Sequence, residues 1–109
     1  MTFRPPPPPG VYAVGHGVGR GVTAPTLAHK VEPAYSKEAR QKGIEGTVLL
    51  YIQVDPRGRA INMRVLHSLG MGLDEKAMEA VGKWKFNPGM KDGKPVTVEA
   101  QVEVNFVLR

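Results

Sequence analysis

Hydrophobic and polar positions alternate most clearly at the C-terminal end of the chain. Val96, Val98, Ala100, Val102, Val104, Phe106 and Leu108 alternate with Thr97, Glu99, Gln101, Glu103, Asn105 and Val107. Period two over this length predicts a long strand with one dry and one wet face. Residues 47–54 repeat the pattern, with Val48, Leu50, Ile52 and Val54 on one face. Asp55-Pro56-Arg57-Gly58 follows, with Asp, Pro and Gly at the positions a type I turn favours. The return strand is expected over residues 60–67 with Ile61, Met63 and Val65 inward, giving an antiparallel hairpin.

Two helices complete the pattern. Pro33 restricts Glu32 to extended backbone, and Ser36 is placed to cap a short helix over residues 37–42 that Gly43 stops. Leu73, Ala77, Val81 and Trp84 form one stripe, predicting a second helix over residues 74–85. Its acids, Asp74, Glu75 and Glu79, come early and Lys83 and Lys85 late, as the helix dipole prefers. Asn87-Pro88-Gly89 is expected to end it, and Lys91-Asp92-Gly93-Lys94 reads as a turn. The implied fold is α+β: a small three-stranded antiparallel sheet packed against two helices. Trp84, Ile52, Val54 and Phe106 are expected near the centre of one core.

Composition divides the 109-residue chain in two. Residues 1–30 hold six of the ten prolines and five of the thirteen glycines, and no acid. Residues 5–9 are all proline and predict polyproline II; the glycine-rich stretch after them reads as flexible linker. Residues 1–21 are therefore assigned as a Pro/Gly-rich linker and residues 22–109 as the folded domain, with a short extended segment over residues 23–28. Gly15, Gly17, Gly19 and Gly21 break the dinucleotide fingerprint at Arg20, and no strand precedes them.

The net charge of +5 also resolves by segment. Residues 31–109 hold twelve bases and ten acids, a net of +2, with the two signs interleaved. That distribution speaks against a nucleic-acid surface, as does the single aromatic, Tyr51, on the wet face. No cysteine is present, so neither a disulfide framework nor thiolate chemistry is available. His16, His29 and His67 lack ligand spacing, so no metal or other cofactor is expected. Ser36 and Ser68 have no evident base, so no catalytic residue is assigned and the chain reads as a binding module rather than an enzyme. No apolar run reaches the length of a membrane span and no secretory leader is recognisable; a membrane anchor, if the protein has one, is expected outside this chain.

An ordered set of motifs resembles the C-terminal domain of TonB, the periplasmic energy transducer of Gram-negative bacteria. They are Pro33-Ala34-Tyr35, Gly46-Thr47-Val48, Asp55-Pro56-Arg57-Gly58-Arg59, Leu73-Asp74, Trp84-Lys85-Phe86-Asn87-Pro88 and the closing alternating strand. Ser36 stands where the family usually carries the second proline of a Tyr-Pro pair, and Glu32 where members often carry Gln. The resemblance implies a periplasmic domain tethered to the inner membrane and coupled through a separate N-terminal helix to an ExbB–ExbD-type motor. The domain would capture the TonB-box segment of outer-membrane transporters by strand addition and so drive nutrient uptake, siderophores included. It also implies that two copies can exchange strands to form a homodimer. The alternative is a scaffolding domain within a larger membrane sensor or peptidase.

An exposed sheet edge can accept an extended peptide through its backbone while flanking side chains select the sequence. The candidate edge is the last strand, with Thr97, Glu99, Gln101, Glu103, Asn105 and Val107 along it. Glu32, Pro33, Tyr35 and Ser36 are the candidate selectors. Ordinary solvation accounts equally for the strand's polar residues, and Tyr35 reads equally as a staple for the first helix.

Overall fold

The computed structural model describes residues 10–12 and 21–108. The polyproline run and most of the glycine-rich segment lie outside the described residues. In chain order the elements are β1 (Val11–Tyr12), β2 (Thr26–His29), α1 (Lys37–Lys42), β3 (Gly46–Val54), β4 (Ala60–His67), α2 (Leu73–Val81), β5 (Lys85–Asn87), β6 (Gly89–Lys91) and β7 (Lys94–Phe106).

The central strand is β3, paired antiparallel with β7 from Gly46↔Phe106 to Val54↔Val98 and, on its other edge, with β4. Val48, Leu50, Ile52 and Val54 are therefore wholly buried beneath α2, whose Leu73, Ala77 and Val81 recur every four residues on the covering face. Trp84, Val104 and Phe106 close the same core. The four side chains expected at its centre are all there.

The three long strands pair as expected, but the sheet is larger and mixed. Among the described residues it has five strands: β1 joins β7 in parallel at Thr97 and Val98, and β6 joins β7 antiparallel over Lys94 to Val96. A separate two-stranded antiparallel sheet is made by β2 and β5. These added strands have two to four residues, too few for period two to mark them, and they form because β7 and its neighbours offer backbone groups that need partners.

Helix α1 is closed at both ends by local chemistry. Ser36 Oγ accepts the Ala39 N–H at 3.1 Å and donates to the Met71 carbonyl, so one hydroxyl caps α1 and ties it to the loop before α2. At the other end the Ile44 N–H reaches the Ala39 carbonyl and the Gly43 N–H the Arg40 carbonyl, a Schellman ending with Gly43 at φ 66°.

Helix α2 stops earlier than its apolar stripe suggests. It ends at Val81; Gly82 and Lys83 turn the chain, and Lys85 lies in β5 rather than in a last helical turn. Trp84 reaches the core from this turn, its backbone N–H bonded to the Val81 carbonyl. Asn87-Pro88-Gly89 accordingly separates β5 from β6 instead of ending a helix.

The return strand also departs from simple alternation. Tyr51 pairs with Arg64 but Gln53 with Ile61, so β4 carries an extra residue where Asn62 adopts φ 50°. The bulge shifts the phase: Ile61 faces outward beside Gln53, Ala60 packs on the core in its stead, and Met63 packs there as expected. Ile61 and Val65, both expected inward, are 36% exposed. A second register shift lies between Leu49 and Leu50, and β4 itself is an edge strand.

Asp74 organises the entry to α2. Gly72 offers no side-chain cap, and the Asp74 carboxylate instead accepts the Ser68 hydroxyl and the Leu69 and Gly70 N–H groups, the last two at 3.0 and 3.4 Å. Burial pushes its pKa up, but these hydrogen bonds and the nearby His67 outweigh it, so the carboxyl sits below its ordinary value. A depressed folded-state pKa stabilises above the unfolded value and loses that stabilisation as pH falls through the folded one. Asp74→Asn is thus expected to cost about 1 kcal/mol at neutral pH, kept small by solvent screening. In urea melts the gap to the parent closes as pH drops below the carboxylate range. A gap that stays constant with pH would assign the loss to packing.

Candidate functional site

Two edges of β7 have different fates. One is paired with β3 from Val98 to Phe106. On the other, β1 covers Thr97 and Val98. No described strand lies against that side over residues 100–106, which leaves an open backbone ladder about seven residues long, or roughly 23 Å at 3.3 Å per residue.

A cavity of about 490 Å³ opens at the far end of this stretch, lined by Lys30, Glu32, Pro33, Tyr35, Asn105, Phe106 and Val107. Its wall comes from the segment before α1, held in place by two hydrogen bonds. Trp84 Nε1 donates to the Val31 carbonyl at 2.8 Å, and the Tyr35 hydroxyl donates to the Ile44 carbonyl at 2.6 Å. The Tyr35 ring meets Phe106 edge-on with centroids 5.5 Å apart, while Arg40 lies over its other side at 5.6 Å. Burial first, and then the charge of Glu45, raise the Tyr35 pKa against the opposing effect of Arg40, so the phenol stays protonated and keeps donating to Ile44.

Of the residues singled out in the sequence, Glu32, Pro33, Tyr35, Asn105 and Val107 converge on this cavity. Gln101 and Glu103 are exposed along the open stretch. Asn105 also accepts the Thr47 hydroxyl at 2.7 Å. Three others have different surroundings. Ser36 spends its hydroxyl on the α1 cap and on Met71. Thr97 lies under β1. Glu99 is 7% exposed and accepts the Tyr51 hydroxyl at 3.0 Å. That contact belongs to a chain crossing three strands, in which Asn62 donates to Gln53 and Gln53 to Tyr51, with Arg64 stacked over the Tyr51 ring. Alternation had put Glu99 on the wet face; the face is correct, but it is covered there. Lys30, which no sequence signal marks, lines the cavity and stands 5.7 Å from the Trp84 ring centroid.

Residues 31–108 match the family model described as the Gram-negative bacterial TonB protein C-terminal. The chain belongs to the TonB C-terminal family. It is 40% identical over 83 residues to Protein TonB of Vibrio cholerae, covering 75% of this chain and 34% of that protein. It is 38% identical over 77 residues to Protein TonB of Xanthomonas campestris, covering 70% of this chain and 34% of the relative. The chain thus spans about one third of the length of these TonB proteins. The solution structure of the Pseudomonas aeruginosa TonB C-terminal domain superposes with a TM-score of 0.63, covering 89% of this chain and 93% of that one at 24% identity, which is a likeness of fold.

Proposed function

We propose that this TonB-family domain captures an extended TonB-box peptide of an outer-membrane transporter as an added strand on β7. The proposal extends to its setting: a periplasmic domain, tethered to the inner membrane and driven by an ExbB–ExbD-type motor that couples the proton motive force to nutrient uptake. The carrying observation is the open ladder over residues 100–106 ending at the cavity of Glu32, Pro33, Tyr35 and Asn105. Each backbone hydrogen bond gained on strand addition contributes about 1 kcal/mol net, so the ladder supplies affinity with little demand on sequence. Selectivity then falls to side chains at the cavity. Glu32 contributes a carboxylate there and Lys30 an ammonium, so charged or polar peptide side chains are discriminated at that end. Tyr35 offers its ring only, since its hydroxyl is committed to Ile44.

Titration of the isotopically labelled chain with TonB-box peptides tests the reading. Saturable amide shifts are expected over residues 100–107 and around Glu32 and Tyr35. A peptide with alternate residues changed to proline, which cannot donate to the ladder, is expected to leave them unmoved. No shifts with any such peptide at millimolar concentration would favour the scaffolding role instead.

A further inference from the structure

The edge proposed for docking is not uniformly available. Thr97 and Val98 are covered by β1, a strand of two half-buried residues from the N-terminal segment. Its register is Val11↔Thr97 and Tyr12↔Val98, and Lys91 Nζ lies 4.9 Å from the Tyr12 ring centroid. Neither Val11 nor Tyr12 belongs to the hydrophobic core. Beyond β1 the ladder opens.

We propose that β1 is an intrachain occupant of the docking edge, which a bound peptide must displace to use the whole of β7. The proposal rests on the strand-addition reading given above. Two residue pairs make a marginal strand by themselves, so β1 is removable. The chain then exists in a closed form, with Thr97 and Val98 covered, and a competent form with β1 released. Apparent affinity for a peptide reaching Thr97 is reduced by the fraction of molecules in the competent form. A shorter peptide, confined to residues 100–106, is indifferent to β1.

The test uses the full chain and a double variant, Val11→Pro with Tyr12→Pro, which removes both β1 N–H donors while leaving the core untouched. Amide exchange is measured first without peptide. Faster exchange in the variant at whichever of the Thr97 and Val98 amides faces β1 is expected. Binding is then compared for one TonB-box peptide long enough to reach Thr97 and one truncated to the open stretch. The variant is expected to bind the long peptide roughly three- to ten-fold more tightly, by the population argument, and the short one equally. Unchanged exchange, or equal affinity of both proteins for the long peptide, overturns the proposal while leaving strand addition standing. Failure of both proteins to bind either peptide sinks the strand-addition reading and this proposal with it.

Discussion

Replacing Gly58 with alanine is expected to remove about 4 kcal/mol of stability, a loss large enough to be diagnostic for a single substitution. Gly58 adopts φ 80°, and a Cβ there would lie 2.0 Å from the Phe86 carbonyl oxygen. The contact is backbone against a built-in atom, so no rotamer change relieves it. The same glycine accepts the Phe86 N–H through its carbonyl at 2.9 Å and donates to the Asp55 carbonyl to close the β3–β4 turn. An added methyl therefore has to break either the turn or the seam joining it to β5. Gly43 is the control: its φ of 66° is similar, but the space around its missing Cβ is empty. Gly43→Ala is expected to cost only about 1 kcal/mol of backbone strain. Urea denaturation of the two variants separates clash from strain. Equal losses at both positions would show that the Phe86 contact relaxes freely.

Trp84→Ala is expected to cost about 3–5 kcal/mol, the usual range for emptying a buried aromatic site. The indole is 4% exposed and packs with Phe86 at a centroid distance of 6.2 Å. The more informative substitution is Trp84→Phe, which keeps most of the volume but deletes the N–H that binds the Val31 carbonyl. Its expected cost is about 1 kcal/mol, the low end of the penalty for leaving an acceptor unpaired, because Val31 is only half-buried. Val31 leads directly into Glu32 and Pro33, so this variant is expected to loosen the cavity wall. Amide signals of residues 31–35 should shift and peptide affinity should fall, while signals of β3 stay in place. Unchanged signals over residues 31–35 would show that the wall is held by Tyr35 alone.

Long periodic stretches were legible because burial repeats with the geometry of the element. β3 and β7 declared themselves through alternation, α1 through Ser36 and Gly43, and the hairpin through its Asp-Pro-Arg-Gly turn. The misreadings fall where that repeat is short or interrupted. Gly82 ends α2, yet Trp84 still continues its stripe, because a turn can deliver a side chain to the same core as a helix. Asn62 inserts one residue into β4, and a single insertion moves Ile61 to the opposite face. Strands β1, β2, β5 and β6 have no period of their own and exist only because a neighbour offers unpaired backbone. The site was partly legible for the same reason. Alternation identified the face of each β7 side chain, but not that β1 covers Thr97 or that a hydrogen-bonded chain from β4 encloses Glu99. Lys30 joined the cavity through chain path alone.

The nine register pairs between β3 and β7 have a mechanical consequence. A tension applied along β7, through a strand lying beside it, acts parallel to that interface and loads its hydrogen bonds together. The same tension applied across the sheet would open them one after another from an end. The long antiparallel seam thus makes the domain stiff along the axis of its longest strand and comparatively weak across it, so a pull transmitted through an added strand meets the molecule in its strongest direction.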